Sequence, residues 1–115
     1  MLSAIHRFHG HGSLRYVYKN GQAIRSHYMT IKSVANPRRK HPRFAVVVSK
    51  KVLKSAVGRN RIRRRIYEVV RQELPHFKSV SDVVIIVFSS ELLSMSAAEL
   101  VETLHQLFEQ SDLYK

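Results

Sequence analysis

The chain has 115 residues, 44% of them apolar, enough for one folded domain with a modest core, so disorder is not the default. It has no cysteine, which excludes disulfides and thiolate zinc sites, and its longest apolar run, Val83 to Phe88, is far too short to cross a bilayer. Residues 1–67 hold 17 Lys/Arg and no Asp or Glu, whereas residues 68–115 hold 3 Lys/Arg and 8 Asp/Glu, so the first part presents a surface for a polyanion and the acidic remainder the opposite surface.

No internal repeat, low-complexity tract or linker divides the chain, so residues 1–115 read as a single RNA- or DNA-binding domain. Ser13 to Asn20 predicts a short helix, with Ser13 as N-cap, Gly21 as the C′ residue, and Leu14, Val17 and Tyr18 on one face. Gln22 to Val34 alternates as a strand, with a short edge strand near Ala23–Arg25. Tyr28, Thr30 and Lys32 fall on one side, and Met29, Ile31 and Ser33 on the other. The segment Asn36-Pro37-Arg38-Arg39-Lys40-His41-Pro42 is a turn, whose basic residues suit either backbone contacts to RNA or a solvated hairpin tip. Phe44 to Ser49 is a second strand, expected to pair antiparallel with the first across that turn.

The stretch Lys50 to Arg65 carries eight Lys/Arg in sixteen residues and no acid. From Ala56 to about Glu73 it reads as a helix roughly 27 Å long, at ~1.5 Å per residue. Val57, Ile62, Ile66, Val69 and Val70 form its apolar face. Asn60, Arg64 and Arg71 fall opposite that face, Arg59, Arg63 and Arg65 on the flanks, and Arg61 partway round. A helix built for solubility would alternate Glu and Lys at i,i+4. These arginines instead repel one another until a polyanion arrives, and each offers a planar fork of donors that matches phosphate oxygens. Asn60 adds an amide suited to a sugar hydroxyl or a base edge. Glu68, at i+4 from Arg64 and i+3 from Arg65, is expected to orient those arginines.

Pro75 marks the end of this helix and His76 to Ser81 is a connector. Asp82 to Ser89 is a β-branched run that predicts a buried central strand. Ser96-Ala97-Ala98-Glu99 is a capping box, and the helix after it places Leu100, Val101, Leu104, Leu107 and Phe108 on a core face, with Glu99, Glu102 and Glu109 outward. The elements compose an α+β fold, a two-layer α/β sandwich in the order α-β-β-β-α-β-α. The open sheet face, the first helix and the basic helix are expected to bound a cleft.

Catalytic motifs are absent. The chain shows no Ser/His/Asp ordering or nucleophile elbow, and its first 67 residues contain no carboxylate to hold the ions of a two-metal nuclease. His6, His9 and His11 lie close together but lack the acidic or thiol partners of a closed metal site. A DNA-binding reading would want a helix-turn-helix or dimer symmetry, and a membrane-surface helix would want bulky Trp, Phe or Leu on its apolar face. A structural RNA-binding protein, ribosomal or assembly-related, stays open on charge and size alone.

Ser49-Lys50-Lys51 followed by Ala56-Val57-Gly58-Arg59-Asn60-Arg61-Ile62-Arg63-Arg64 resembles the signature of the protein subunit of bacterial ribonuclease P: a strand ending in a Lys-Lys pair, a short crossover, and a helix opening on Arg-Asn-Arg. The resemblance implies a ribosomal protein S5 domain 2-like fold with a left-handed βαβ crossover. It also implies a subunit of an endoribonuclease that removes the 5′ leader of precursor tRNA, with catalysis and Mg²⁺ in the RNA subunit. On that reading Arg59, Asn60, Arg61, Arg63 and Arg64 contact the catalytic RNA, supported by Lys50, Lys51 and Arg65. Leu14, Tyr18, Tyr28 and Phe44 or Val46 line a leader-binding cleft. Leu14 stands where the family usually has an aromatic, whereas Tyr18 matches the aromatic type; Tyr18 also fits a core position with its hydroxyl at the surface. The expected partners are the catalytic RNA, one protein per RNA, and precursor tRNA. Met1 to Gly12 holds no apolar run of signal-peptide length, so the expected location is the cytoplasm, away from membranes.

Overall fold

The computed structural model describes residues 6–8, 12–77 and 80–114. The elements are α1 (Gly12–Asn20), β1 (Gln22–Arg25), β2 (Met29–Ala35), β3 (Arg43–Val48), α2 (Ala56–Glu73), β4 (Ser81–Val87) and α3 (Ala97–Gln110), with short 3-10 turns at Leu74–His76 and Ser90–Leu93. This is the α+β order anticipated above. The four strands form one sheet in the order β1-β2-β4-β3.

That order corrects the expected hairpin. β2 and β3 do not pair; β4 lies between them, antiparallel to β2 and parallel to β3. Two features of the chain explain the insertion. β4 is the most apolar run available, and Val83, Val84 and Ile85 are all buried, as only a central strand allows. At its start, the buried carboxylate of Asp82 accepts hydrogen bonds from Arg43 Nε (2.9 Å) and Nη2 (2.8 Å) on β3 and from Asn36 Nδ2 (2.9 Å) just after β2. The Asn36 amide also donates to the Val80 carbonyl at 3.0 Å. The turn from Asn36 to Pro42 therefore bridges over the end of β4 instead of closing a hairpin.

Pleating assigns the two sheet faces. Met29 and Ile31 of β2, Val83, Ile85 and Val87 of β4, and Phe44, Val46 and Val48 of β3 form the buried face. They share one core with Ile62, Ile66, Val69 and Val70 of α2 and Leu100, Leu104, Leu107 and Phe108 of α3. On the other face α1 packs against β2 and β4: Val17 is fully buried and Lys32 Nζ donates to the Tyr18 carbonyl at 2.9 Å. α1 begins at Gly12, so Ser13 lies inside the helix and not at its N-cap. Gly21 ends it: its amide donates to the Val17 carbonyl at 2.8 Å, and a Cβ there would stand 2.5 Å from that same oxygen.

α2 starts where Ser55 accepts a hydrogen bond from the Gly58 amide at 3.0 Å. Gly58 faces inward against the crossover, since a Cβ on it would meet Leu53 Cδ2 at 2.6 Å. It takes the inward place assigned above to Val57, which is 77% exposed and stands outside the apolar stripe. Tyr67 joins the stripe, and its hydroxyl accepts from the Val46 amide at 3.2 Å. That bond, with the bridge between Arg7 and Phe44, covers the outer edge of β3. In α3, Ser96 caps the Glu99 amide at 3.2 Å, as its sequence predicts.

Candidate nucleic-acid interface

The arginines of α2 fall into distinct roles once their partners are known. Arg61 and Arg64 are exposed and have no hydrogen bond or ion pair among the described residues. Arg63 Nη2 donates to Asn60 Oδ1 at 2.5 Å, which orients both polar groups on one turn of the helix. Arg59 Nη1 donates to the carbonyls of Leu53 (2.9 Å) and Lys54 (2.8 Å), tying the helix start to the crossover. Arg65 differs from the surface role assigned by sequence: its guanidinium donates to the carbonyls of Leu92 (2.5 Å), Leu93 (3.3 Å) and Met95. Half-buried, it clamps the turn before α3. Glu68 also departs from expectation, pairing with Arg71 (Oε1–Nη2 2.5 Å) and not with Arg64 or Arg65. Hydrogen bonding from Arg71 holds the Glu68 carboxyl below its usual range. Arg64 is thus left free of the one acid near it in sequence.

Asn60, Arg63 and Arg64 line a pocket of about 320 Å³ together with Arg7 and Tyr67. Arg7 and Tyr67 also line an adjoining pocket of about 340 Å³ with Phe8, Phe44 and Ala45. Arg7 was not legible as part of this site. Its Nε is buried without a hydrogen-bond partner among the described residues, and its signal in the sequence was membership in the acid-free segment. Lys50, Lys51 and Lys54, exposed in the crossover, extend the positive surface from β3 to α2.

The second sheet face carries the other candidate residues. Thr30 and Lys32 of β2, Ala45 and Val47 of β3, and Ile86 of β4 are half-buried there. Leu14 and Tyr18 of α1 are also half-buried, and the Lys32 ammonium stands 5.4 Å from the centre of the Tyr18 ring. Burial pushes the Tyr18 hydroxyl up, so it stays neutral at physiological pH. Tyr28 is half-buried just before β2, and its carbonyl accepts from the Phe88 amide at 3.1 Å. Phe44 and Val46, assigned to the cleft by sequence, are 1% and 6% exposed and point into the core. The pleat puts Ala45 and Val47 on the cleft side in their place, a shift of one residue that reverses every facing.

Of the three N-terminal histidines, His6 alone lies among the described residues. His6 Nδ1 lies 3.0 Å from the Pro42 carbonyl and its ring meets His41 edge-on at 5.4 Å, whereas His9 and His11 lie outside the described residues. Among the described residues, no group of three His, Cys, Asp or Glu converges as metal ligands, and no helix is long and apolar enough to cross a membrane.

Free arginines on one helix, basic pockets beside it, and an acid-free sequence over the same elements define a polyanion-binding α+β protein. Comparison with known proteins narrows the class. The model of the family described as Ribonuclease P matches residues 2–112. The ribonuclease P protein component of Synechocystis sp. is 33% identical over 97 residues, covering 84% of this chain and 77% of that protein. That of Blochmanniella floridana is 33% identical over 93 residues, covering 81% and 76%. Among solved structures, the RNase P protein of Staphylococcus aureus superposes with a TM-score of 0.84 at 22% identity, covering 96% of this chain and 98% of that one. The Thermotoga maritima protein gives 0.81 at 21% identity, covering 90% and 96%. The chain belongs to the ribonuclease P protein component family, whose members are components of the endoribonuclease that matures tRNA 5′ ends and have an RNA partner in that holoenzyme.

Proposed function

We propose that this chain binds the catalytic RNA of ribonuclease P through the basic side of α2 and holds the 5′ leader of precursor tRNA on the open part of its sheet. The observation that carries the first half is the set Asn60, Arg61, Arg63 and Arg64, next to Arg7, with no acid to neutralise it. Arg61 and Arg64 are the phosphate-contacting groups. Arg63 and Asn60 act as an oriented pair, Arg59 positions the helix start, and Lys50 and Lys51 add charge from the crossover. Arg65 contributes by fixing the fold.

The leader half rests on the second sheet face. Leu14, Tyr18, Lys32, Ala45 and Val47 offer apolar and aromatic surface with one ammonium, which suits unstacked bases held with little sequence demand, and Tyr28, packed against the core, borders it just before β2. Catalysis is assigned to the RNA, and Mg²⁺ to the RNA active site, because the basic surface supplies no carboxylate set to hold ions. The protein's contribution is electrostatic. Bringing the catalytic RNA and precursor tRNA together opposes two polyanions, and a segment with 17 basic residues between them offsets that repulsion. One protein per RNA, acting in the cytoplasm, completes the reading. Tyr18→Ala tests the leader half: binding of precursor tRNA to the holoenzyme should fall while mature tRNA binds as before. Equal loss for both would remove the leader from this face.

A further inference from the structure

We infer that the pocket between α1 and the β2–β3 loop binds a nucleotide of the precursor's single-stranded 5′ leader, beyond the sheet cleft. The inference rests on the leader reading above. The pocket measures about 640 Å³ and is lined by Tyr16, Val34 and the loop residues Asn36, Pro37, Arg38 and Arg39. That volume is typical of small-ligand sites, ~300–1,000 Å³. Tyr16 is 57% exposed although Val17 beside it is fully buried. A lone exposed tyrosine is ordinary. Here it shares a pocket with two exposed guanidinium groups, neither of which has a hydrogen bond or ion pair among the described residues. Asp82 also lines the pocket, but its carboxylate is already engaged by Arg43 and Asn36. The uncompensated charge is therefore positive.

An aromatic ring beside two free arginines matches the two parts of one unpaired nucleotide. The ring stacks on a base of any identity, and the guanidinium groups hold phosphate. Duplex RNA keeps its bases stacked and would leave the ring unused. The position favours the leader over the catalytic RNA. Tyr16 sits on the same helix as Leu14 and Tyr18 of the cleft, and the arginines follow β2, which carries Thr30 and Lys32. No residue of α2 lines the pocket. A strand lying in the cleft and leaving across α1 meets Tyr16 next.

The test uses the reconstituted holoenzyme and two precursor tRNAs that differ only in leader length, one ending within the cleft and one extended, with mature tRNA alongside. Tyr16→Ala should weaken the extended precursor at least about fivefold, the smallest effect expected for losing one base–aromatic stack. It should leave the short precursor and mature tRNA unchanged, and Tyr16→Phe should retain parental affinity. Arg38→Ala with Arg39→Ala should lower the salt slope for the extended precursor by about 1.4, at ~0.7 per single-strand phosphate. No length-dependent loss, or the same loss for all three ligands, would overturn the assignment. Tyr18→Ala measured in parallel separates the two claims. If it discriminates precursor from mature tRNA while Tyr16→Ala ignores leader length, only the pocket assignment fails. If neither variant discriminates, the leader reading itself fails and takes the pocket with it.

Discussion

Replacing Arg61 and Arg64 together by alanine removes two exposed guanidinium groups that have no partner within the described protein, so the change is read almost entirely in RNA binding. Each phosphate contact contributes ~0.7 to ~0.9 to the slope of log affinity against log salt, depending on whether the strand is single or double. Losing two contacts lowers the slope by about 1.4 to 1.8. A fourfold rise in salt should then weaken the double variant about seven- to twelvefold less than the parent. Arg65→Ala is the control. Its guanidinium donates to carbonyls of Leu92, Leu93 and Met95, so its loss should lower stability by on the order of 3 kcal/mol while leaving the slope unchanged. The assay is a salt titration of binding to the catalytic RNA, with urea melts of each free protein. An unchanged slope in the double variant, or a slope change in the Arg65 variant, would refute this division of the helix.

Asp82→Ala leaves the buried Arg43 guanidinium unpaired and should cost about 3–5 kcal/mol in a urea melt. Arg43→Met combined with Asp82→Leu should recover most of that loss, because both charges leave together. Gly21→Ala places a Cβ 2.5 Å from the Val17 carbonyl oxygen, a backbone atom that cannot step aside, and should destabilise by about 1–3 kcal/mol. Tyr114 faces the carboxylates of Glu73 and Glu109, and burial followed by these charges pushes its hydroxyl well above the ordinary value of 10.0. A raised folded-state value favours the protonated form, so its contribution is full below pH 10 and is lost as pH rises above that value. Denaturation midpoints should therefore fall in the alkaline range, and less steeply in Tyr114→Phe; identical pH profiles would contradict the assignment.

The helices were the legible part of this fold. Ile62, Ile66, Val69 and Val70 recur at helical spacing and Pro75 follows, so α2 could be bounded as Ala56–Glu73 from the pattern alone. The sheet order was not legible, because neighbouring strands across a short turn suggest a hairpin. What overrides it is a bidentate pair between Arg43 and Asp82, 39 residues apart, which no local pattern records. The facing of β3 was hidden for a different reason. Phe44 to Val48 is apolar at every position, so parity carries no signal, and the core took Phe44, Val46 and Val48. Among the basic residues, sequence shows charge but not partners. Arg65 and Arg64 are adjacent in an Arg-Arg-Arg run, yet one is tied to backbone carbonyls and the other has no hydrogen bond or ion pair among the described residues. Arg7 joins α2 through a chain segment about fifty residues away, which only the fold reveals.

The most direct measurement is cleavage of precursor tRNA by the catalytic RNA at low Mg²⁺, with and without this protein, and with the protein alone. Strong stimulation by the protein, with no cleavage by the protein alone, is the predicted result, since the basic surface lowers the Mg²⁺ needed to screen two polyanions. Tight RNA binding without stimulation would contradict the account and mark the chain as a structural RNA-binding protein.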